Sequence, residues 1–214
     1  MKRIVFILIL ANLFYKCETK KVKAQFKKTE FYYPRVSYFK KDSSLTEIYL
    51  DSIKNYGELI KTTEQIACAG KAPLLKFSTD STEFNLIVYK ECTNRMDIVD
   101  YHLSNVVSIQ KDSIIINDEI EMGFDSLQPI LRNHILNPNQ EFNYSKSVDK
   151  ALVFYYQDSL VSAKKIKYQL IKITKAFNEL NRKNGDSLPL KIKLREHPYI
   201  RILNPPTPDE ESKK

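Results

Sequence analysis

The sequence predicts an α+β fold of two layers, a small mixed β-sheet with helices mainly on one face. Three observations carry this expectation. From residue 103 onward, strand-like and helix-like stretches follow one another as β-hairpin, helix, strand, helix, strand. The run Ala151 to Tyr156 is nearly continuous in apolar character, as a strand buried in mid-sheet would be. Strand-helix-strand crossovers run right-handed, which places both of these helices on the same face.

Taken in chain order, Glu18 to about Lys41 shows no sustained periodicity, and Pro34 interrupts the aromatic cluster Phe31, Tyr32, Tyr33 and Tyr38. It reads as a linker whose aromatic end docks on the domain. Ser43 or Ser44 suits an N-cap, with Glu47 in the capping-box position after Ser44. Leu45, Ile48, Tyr49, Ile53, Tyr56, Leu59, Ile60, Ile66 and Ala67 then recur at helical spacing and predict an amphipathic helix ending near Gly70. Gly57 inside it costs about 1 kcal/mol relative to Ala. Leu74 to Ser78 and Phe84 to Tyr89, separated by Thr79-Asp80-Ser81-Thr82, predict a hairpin.

Residues 94–101 match no template. Val106, Val107 and Ile109, the turn Gln110-Lys111-Asp112 and Ile114-Ile115-Ile116 predict a second hairpin, stopped at Asn117-Asp118. Phe124, Leu127, Ile130, Leu131, Ile135 and Leu136 follow with helical spacing, Pro129 in the first turn and Asn137-Pro138-Asn139 as the stop. The strand Ala151 to Tyr156 leads to a long helix from about Ser159 to Lys183. Its inner stripe is Val161, Ile166, Leu170, Ile173, Phe177 and Leu180, and Asn184-Gly185-Asp186 turns it. Leu190, Ile192 and Leu194 alternate with Lys191 and Lys193, the pattern of a last strand with one wet face.

The N-terminus sets the location. Met1-Lys2-Arg3, an apolar run from Ile4 to Tyr15, then Lys16 and Cys17 have the layout of a secretory signal and are too short to span a bilayer comfortably. Cys17 after such a run looks like the lipidation site of a bacterial lipoprotein, although Phe14, Tyr15 and Lys16 stand where that pattern expects small residues. Lipidation at Cys17 is the expectation; an uncleaved anchor and ordinary secretion are the alternatives. The expected organisation is a signal peptide over 1–16, a basic tether over 17–42, an α+β domain over 43–197 and a Pro-rich tail over 198–214. The domain is divisible into a helix-hairpin part, 43–101, and the remainder, 102–197.

Composition narrows the function classes. Of 214 residues 43% are hydrophobic, with 13 Tyr and 11 Phe, which is ample material for a core. Only 4 are Gly, with no GxGxxG or GxxxxGK[ST], which removes nucleotide binding through those motifs. Much of the net charge of +8 sits near the N-terminus, where Lys16, Lys20, Lys21, Lys23, Lys27, Lys28, Arg35, Lys40 and Lys41 are opposed only by Glu18 and Glu30. Beside a lipid anchor such a segment lies near anionic headgroups or cell-wall polymer, and an exported chain has little nucleic acid to bind. Cys17 apart, Cys68 and Cys92 are an even pair flanking the first hairpin, either a disulfide or two buried thiols.

Chemistry-bearing residues are scattered. His102, His134 and His197 belong to no HxxxH, HExxH or Cys/His cluster, so neither a metal nor another cofactor is expected. Ser113, Ser126, Ser159 and Ser187 each follow Asp, which is turn and cap chemistry, and no GxSxG elbow is present. Glu119 with Glu121, or Asp118 with Asp125, read as exposed charges around a connection sooner than as a glycosidase pair.

The segment Ser113 to Leu194 resembles the periplasmic domain of the ExbD and TolR biopolymer-transport family. The shared features are Ile114-Ile115-Ile116-Asn117, a helix with Leu127 and Leu131, the strand Val153-Phe154-Tyr155-Tyr156-Gln157-Asp158, a long amphipathic helix, and a closing strand to Leu194. The resemblance implies a domain that dimerises and engages peptidoglycan or a TonB-like partner. The family's transmembrane helix with its coupling aspartate is not matched by Ile4 to Tyr15, so proton-driven force generation does not carry over.

These observations predict a non-enzymatic lipoprotein of the cell envelope, periplasmic or outer-membrane associated. It would be held to the membrane by lipid at Cys17 and would bind an envelope protein, peptidoglycan or a second copy of itself. The alternatives are an exported hydrolase of cell-wall material and an ExbD-like inner-membrane subunit with its anchor uncleaved.

Overall fold

The computed structural model describes residues 28–34, 44–93, 102–185 and 188–198. They build a nine-stranded mixed sheet and three α-helices. The strands are β1 (Thr29–Tyr33), β2 (Leu45–Tyr49), β3 (Ala72–Ser78), β4 (Thr82–Tyr89), β5 (Val106–Gln110), β6 (Ser113–Ile116), β7 (Ile120–Gly123), β8 (Leu152–Tyr156) and β9 (Ile192–Leu194). The helices are α1 (Tyr56–Cys68), α2 (Leu127–Leu136) and α3 (Ala163–Lys183).

The strand order is β2-β3-β4-β9-β8-β5-β6-β7, with β1 also on β4. Both predicted hairpins form, β3 with β4 and β5 with β6. β8 lies between β5 and β9, parallel to both, which is why its sequence is apolar at nearly every position. β4 pairs with β9 through Val88 and Ile192, so a single sheet runs through residues of both the 43–101 and 102–197 parts.

All three helices contribute to one core. Leu59 of α1, Ile130 and Leu131 of α2, and Ile166, Leu170, Ile173 and Phe177 of α3 cluster with Leu75, Leu86, Val107, Val153 and Ile192 of the sheet. Alternate strand residues point the other way: Leu74 stands opposite Ile87, and Phe154 opposite Lys193, outside that core. The fold class read from the sequence is therefore the observed one, with helices on one face of a mixed sheet.

Four local expectations are corrected. The helix expected from Ser44 begins instead at Tyr56, and Leu45–Tyr49 is a strand followed by a 3-10 turn over Leu50–Ser52; Ser43 lies outside the described residues. Leu45, Ile48 and Tyr49 satisfy helical spacing, but β3 supplies a parallel backbone partner and Ile48 turns inward while Tyr49 turns outward. The cap is Asn55, whose side chain accepts the Glu58 N–H at 3.0 Å. Gly57 is then a first-turn residue, and a Cβ there would sit 3.3 Å from Ser159, so the close approach of two backbones explains it.

Within the expected tether, Thr29–Tyr33 forms β1, parallel to β4. Tyr33 is buried, meets Phe177 edge-on at 5.8 Å and donates its hydroxyl to Asn178 Oδ1 at 2.6 Å. The alternation of β9 predicts a wet Lys193, yet Lys193 is 2% exposed, ion-paired with Glu91 and placed over the Phe154 ring at 5.7 Å. The long helix starts at Ala163 because Ser162 caps it, accepting the Lys165 N–H. β7 was not anticipated at all; its four residues are exposed and pair only with β6 among the described residues.

A buried polar network locks the β5–β6 turn to α3. Gln169, 1% exposed, donates to Lys111 O at 2.7 Å and Asp112 Oδ1 at 3.0 Å, and accepts the Tyr155 hydroxyl at 2.6 Å. Lys111 holds a positive φ of 56°, a conformation that needs such support in a residue with a side chain. Gln169→Leu is expected to lower stability by about 2 kcal/mol, because the Tyr155 hydroxyl is left buried without its acceptor. Urea unfolding checks this, and an unchanged midpoint would show that the turn is held by other contacts.

Candidate functional site

At the carboxyl ends of β8 and β9 the chain leaves a cavity of about 310 Å³. Crevices at this end of parallel strands are where open α/β sheets recruit ligands, since loops diverge there. α1 supplies Tyr56, Gly57, Ile60, Lys61 and Glu64; the segment after β8 supplies Gln157 and Ser159; the segment after β9 supplies Glu196. On α1, Gly57, Lys61 and Glu64 share one face by helical spacing.

Tyr56 holds this place together. Its hydroxyl lies 2.7 Å from Tyr155 O and 2.8 Å from Arg195 O, so one phenol proton serves the carbonyls at the ends of both strands. Burial holds the phenol well above its ordinary range, which keeps it a neutral donor. The start of α1 is pinned to the loop after β8 by Tyr56 N–H to Val161 O and Gly57 N–H to Ser159 O, both at 2.9 Å.

The polar lining is uneven. Gln157 is 1% exposed and donates Nε2 to Lys111 O at 2.8 Å, which fixes the amide; its Oε1 has no hydrogen-bond partner. Exchanging the amide's N and O would set oxygen against the Lys111 carbonyl, so the unpaired acceptor is enforced. Glu64 accepts the Thr93 N–H at 3.3 Å. Thr93 follows Cys92, and Cys92 is disulfide-bonded to Cys68 at the end of α1, so the bridge holds this rim.

A second hollow of about 280 Å³ is lined by residues of β3 and β4 with Lys71, Lys90, Glu91 and Lys193. Its buried cation, Lys193, is committed to Glu91 and Phe154.

Of the residues singled out from sequence, Cys17 lies outside the described residues, as do the signal peptide and Ser187. Cys68 and Cys92 are joined. His102 and His197 are exposed, while His134 is buried in α2 with Nε2 on Leu152 O at 3.1 Å and Nδ1 without a partner. Glu119, Glu121 and Asp125 are exposed around β7 and line neither cavity. Among the described residues, Ser159 is the Asp-Ser serine that lines the larger cavity. Among the described residues no group of three or more His, Cys, Asp or Glu could hold a metal ion.

Sequence reasoning missed Tyr56, Lys61, Glu64, Gln157 and Glu196 as a group, since they converge from three separate segments. The available signal was Gln157 itself, a polar residue just past the most apolar strand.

No protein-family model, curated protein or solved structure matches this chain. The structure is that of a folded mixed α/β domain with a disulfide, the chemistry of an oxidising compartment. Among the described residues no helix is long and apolar enough to cross a membrane.

Proposed function

We propose that this chain is a non-enzymatic envelope lipoprotein, anchored through Cys17, whose domain acts as a binding and dimerisation module for an envelope protein or peptidoglycan. The observation that carries the reading is the polar cavity at the ends of β8 and β9, lined by Lys61, Glu64 and Glu196 from α1 and the segment after β9. The exposed edge of β7, with Ile120 and Met122 uncovered, adds a surface on which another strand could pair. The ExbD and TolR resemblance supports the same reading, for residues 113–194.

Labelling cells with a radioactive fatty acid is expected to mark the wild-type chain and not Cys17→Ala; equal label in both overturns the anchor. In-cell cross-linking from a photoreactive residue at Met122 is expected to capture a second copy or an envelope partner. A zymogram tests the rival reading, an exported hydrolase, which the two carboxylates Glu64 and Glu196 on one cavity favour. Clearing of cell-wall material that Glu64→Gln or Glu196→Gln abolishes would replace the binding module with an enzyme.

A further inference from the structure

Helix α3 carries seven cationic residues against one acidic residue, Glu179. Its inner stripe, Ile166, Leu170, Ile173 and Phe177, lies in the core, so the residues on the opposite side of the helix point straight out of the domain. These are Lys164, Tyr168, Lys175 and Arg182, all exposed and spaced by four, seven and seven. At the rise of an α-helix they form a ridge about 27 Å long.

The domain neutralises the flanks of this helix and leaves the ridge. Lys165 pairs with Asp112 and Lys167 with Asp51, both at 2.7 Å, and Glu179 accepts Gln128 Nε2 at 2.6 Å. Lys164, Lys175 and Arg182 enter no ion pair among the described residues. Tyr168 stands in their midst, 57% exposed, with the Lys172 ammonium over its ring at 4.9 Å. An aromatic ring with a polar tip among cations is the composition that settles at a lipid headgroup layer. Leu160, 86% exposed just ahead of the helix, adds an apolar side chain at its N-terminal end.

A separate observation brings α3 toward a membrane. The chain arriving from Cys17 enters the domain beside this helix, where Tyr33 of β1 packs edge-on against Phe177 and donates to Asn178 Oδ1. From Cys17 to Thr29 the chain spans at most about 40 Å, so a domain anchored there stays within about one domain diameter of the bilayer.

We infer that the outer ridge of α3 docks flat on the anionic lipid surface to which the chain is tethered. Each cation near such a surface is attracted to it, and tethering supplies the proximity that makes a shallow contact effective. A wall polyanion would satisfy the cations and leave Tyr168 and Leu160 in water, whereas a headgroup layer takes both. The assignment rests on the Cys17 anchor and adds which face the anchored domain turns to the membrane.

The test places a photoreactive residue at Tyr168 of the full chain bound to vesicles of phosphatidylglycerol or of phosphatidylcholine. Lipid cross-links are expected with phosphatidylglycerol and about tenfold fewer with phosphatidylcholine. Lys164→Gln, Lys175→Gln and Arg182→Gln together are expected to lower the yield about tenfold or more, whereas Lys71→Gln, Lys146→Gln and Lys150→Gln together leave it within about twofold. Equal loss in the two triple variants overturns the inference, as does an equal lipid yield from a photoreactive residue at Tyr49, exposed on the opposite face of the sheet. Capture of a protein or a wall polymer from Tyr168 in cells, in place of lipid, also overturns it. A chain that takes the fatty-acid label but gives no lipid product at Tyr168 keeps the anchor and loses this face; a chain without label that gives the product keeps the face and loses the anchor.

Discussion

Lowering the pH from 6.5 to about 4 is expected to remove roughly 3 kcal/mol of stability through His134 alone. His134 is fully buried in the last turn of α2, and its Nε2 faces the Leu152 carbonyl, so the ring must present an N–H there and leave the Nδ1 lone pair inward. Burial pushes its pKa down to about 4, outweighing the Leu152 hydrogen bond. The sign follows from the two states. Below the ordinary value of 6.5 the unfolded chain takes up a proton that the folded chain refuses until about 4, so unfolding gains free energy across that window.

The contribution is complete above 6.5 and is lost as the pH falls toward 4. Urea unfolding of wild type and His134→Leu at several pH values checks it, because carboxylate titrations common to both chains cancel in the difference. His134→Leu is expected to show the shallower loss. Parallel curves for the two proteins would mean that the ring is protonated in the folded domain or opens to water.

Reducing the Cys68–Cys92 bridge is expected to cost about 3 kcal/mol, the loop-closure entropy returned to an unfolded chain whose cross-link spans 24 residues. The bridge also fastens the chain leaving β4 to the C-terminal end of α1, next to the Thr93 N–H that bonds Glu64. Hydrogen exchange at Thr93 should therefore quicken in the Cys68→Ser, Cys92→Ser double variant, along with a lower urea midpoint. A double variant as stable as wild type, with unchanged exchange, would show that Lys193–Glu91 and the sheet hold this segment unaided.

Legibility differed from element to element for physical reasons. The hairpins β3–β4 and β5–β6, the helix α2 and the stripe of α3 were readable because local chemistry and burial agree there. β8 was readable because a strand covered on both sides needs apolar side chains throughout. Leu45–Tyr49 was misread because a few apolar residues fit two periods, and the choice depended on β3, more than twenty residues away. The cavity was invisible for a related reason: Lys61, Gln157 and Glu196 belong to no motif until α1, β8 and β9 meet.

The sequence by itself determined an N-terminus patterned like an export signal ahead of Cys17, the fold class, the order of elements from residue 103 to Leu194 apart from β7, and two cysteines flanking the first hairpin. These are properties of composition and short-range periodicity, which one chain carries along its length. The tertiary structure alone decided that Thr29–Tyr33 is a strand, that Lys193 is buried beside Glu91, and that Gln157 keeps a buried, unpaired oxygen. Each depends on partners distant in sequence, because backbone pairing, burial of a charge and satisfaction of a polar atom are properties of neighbours in space.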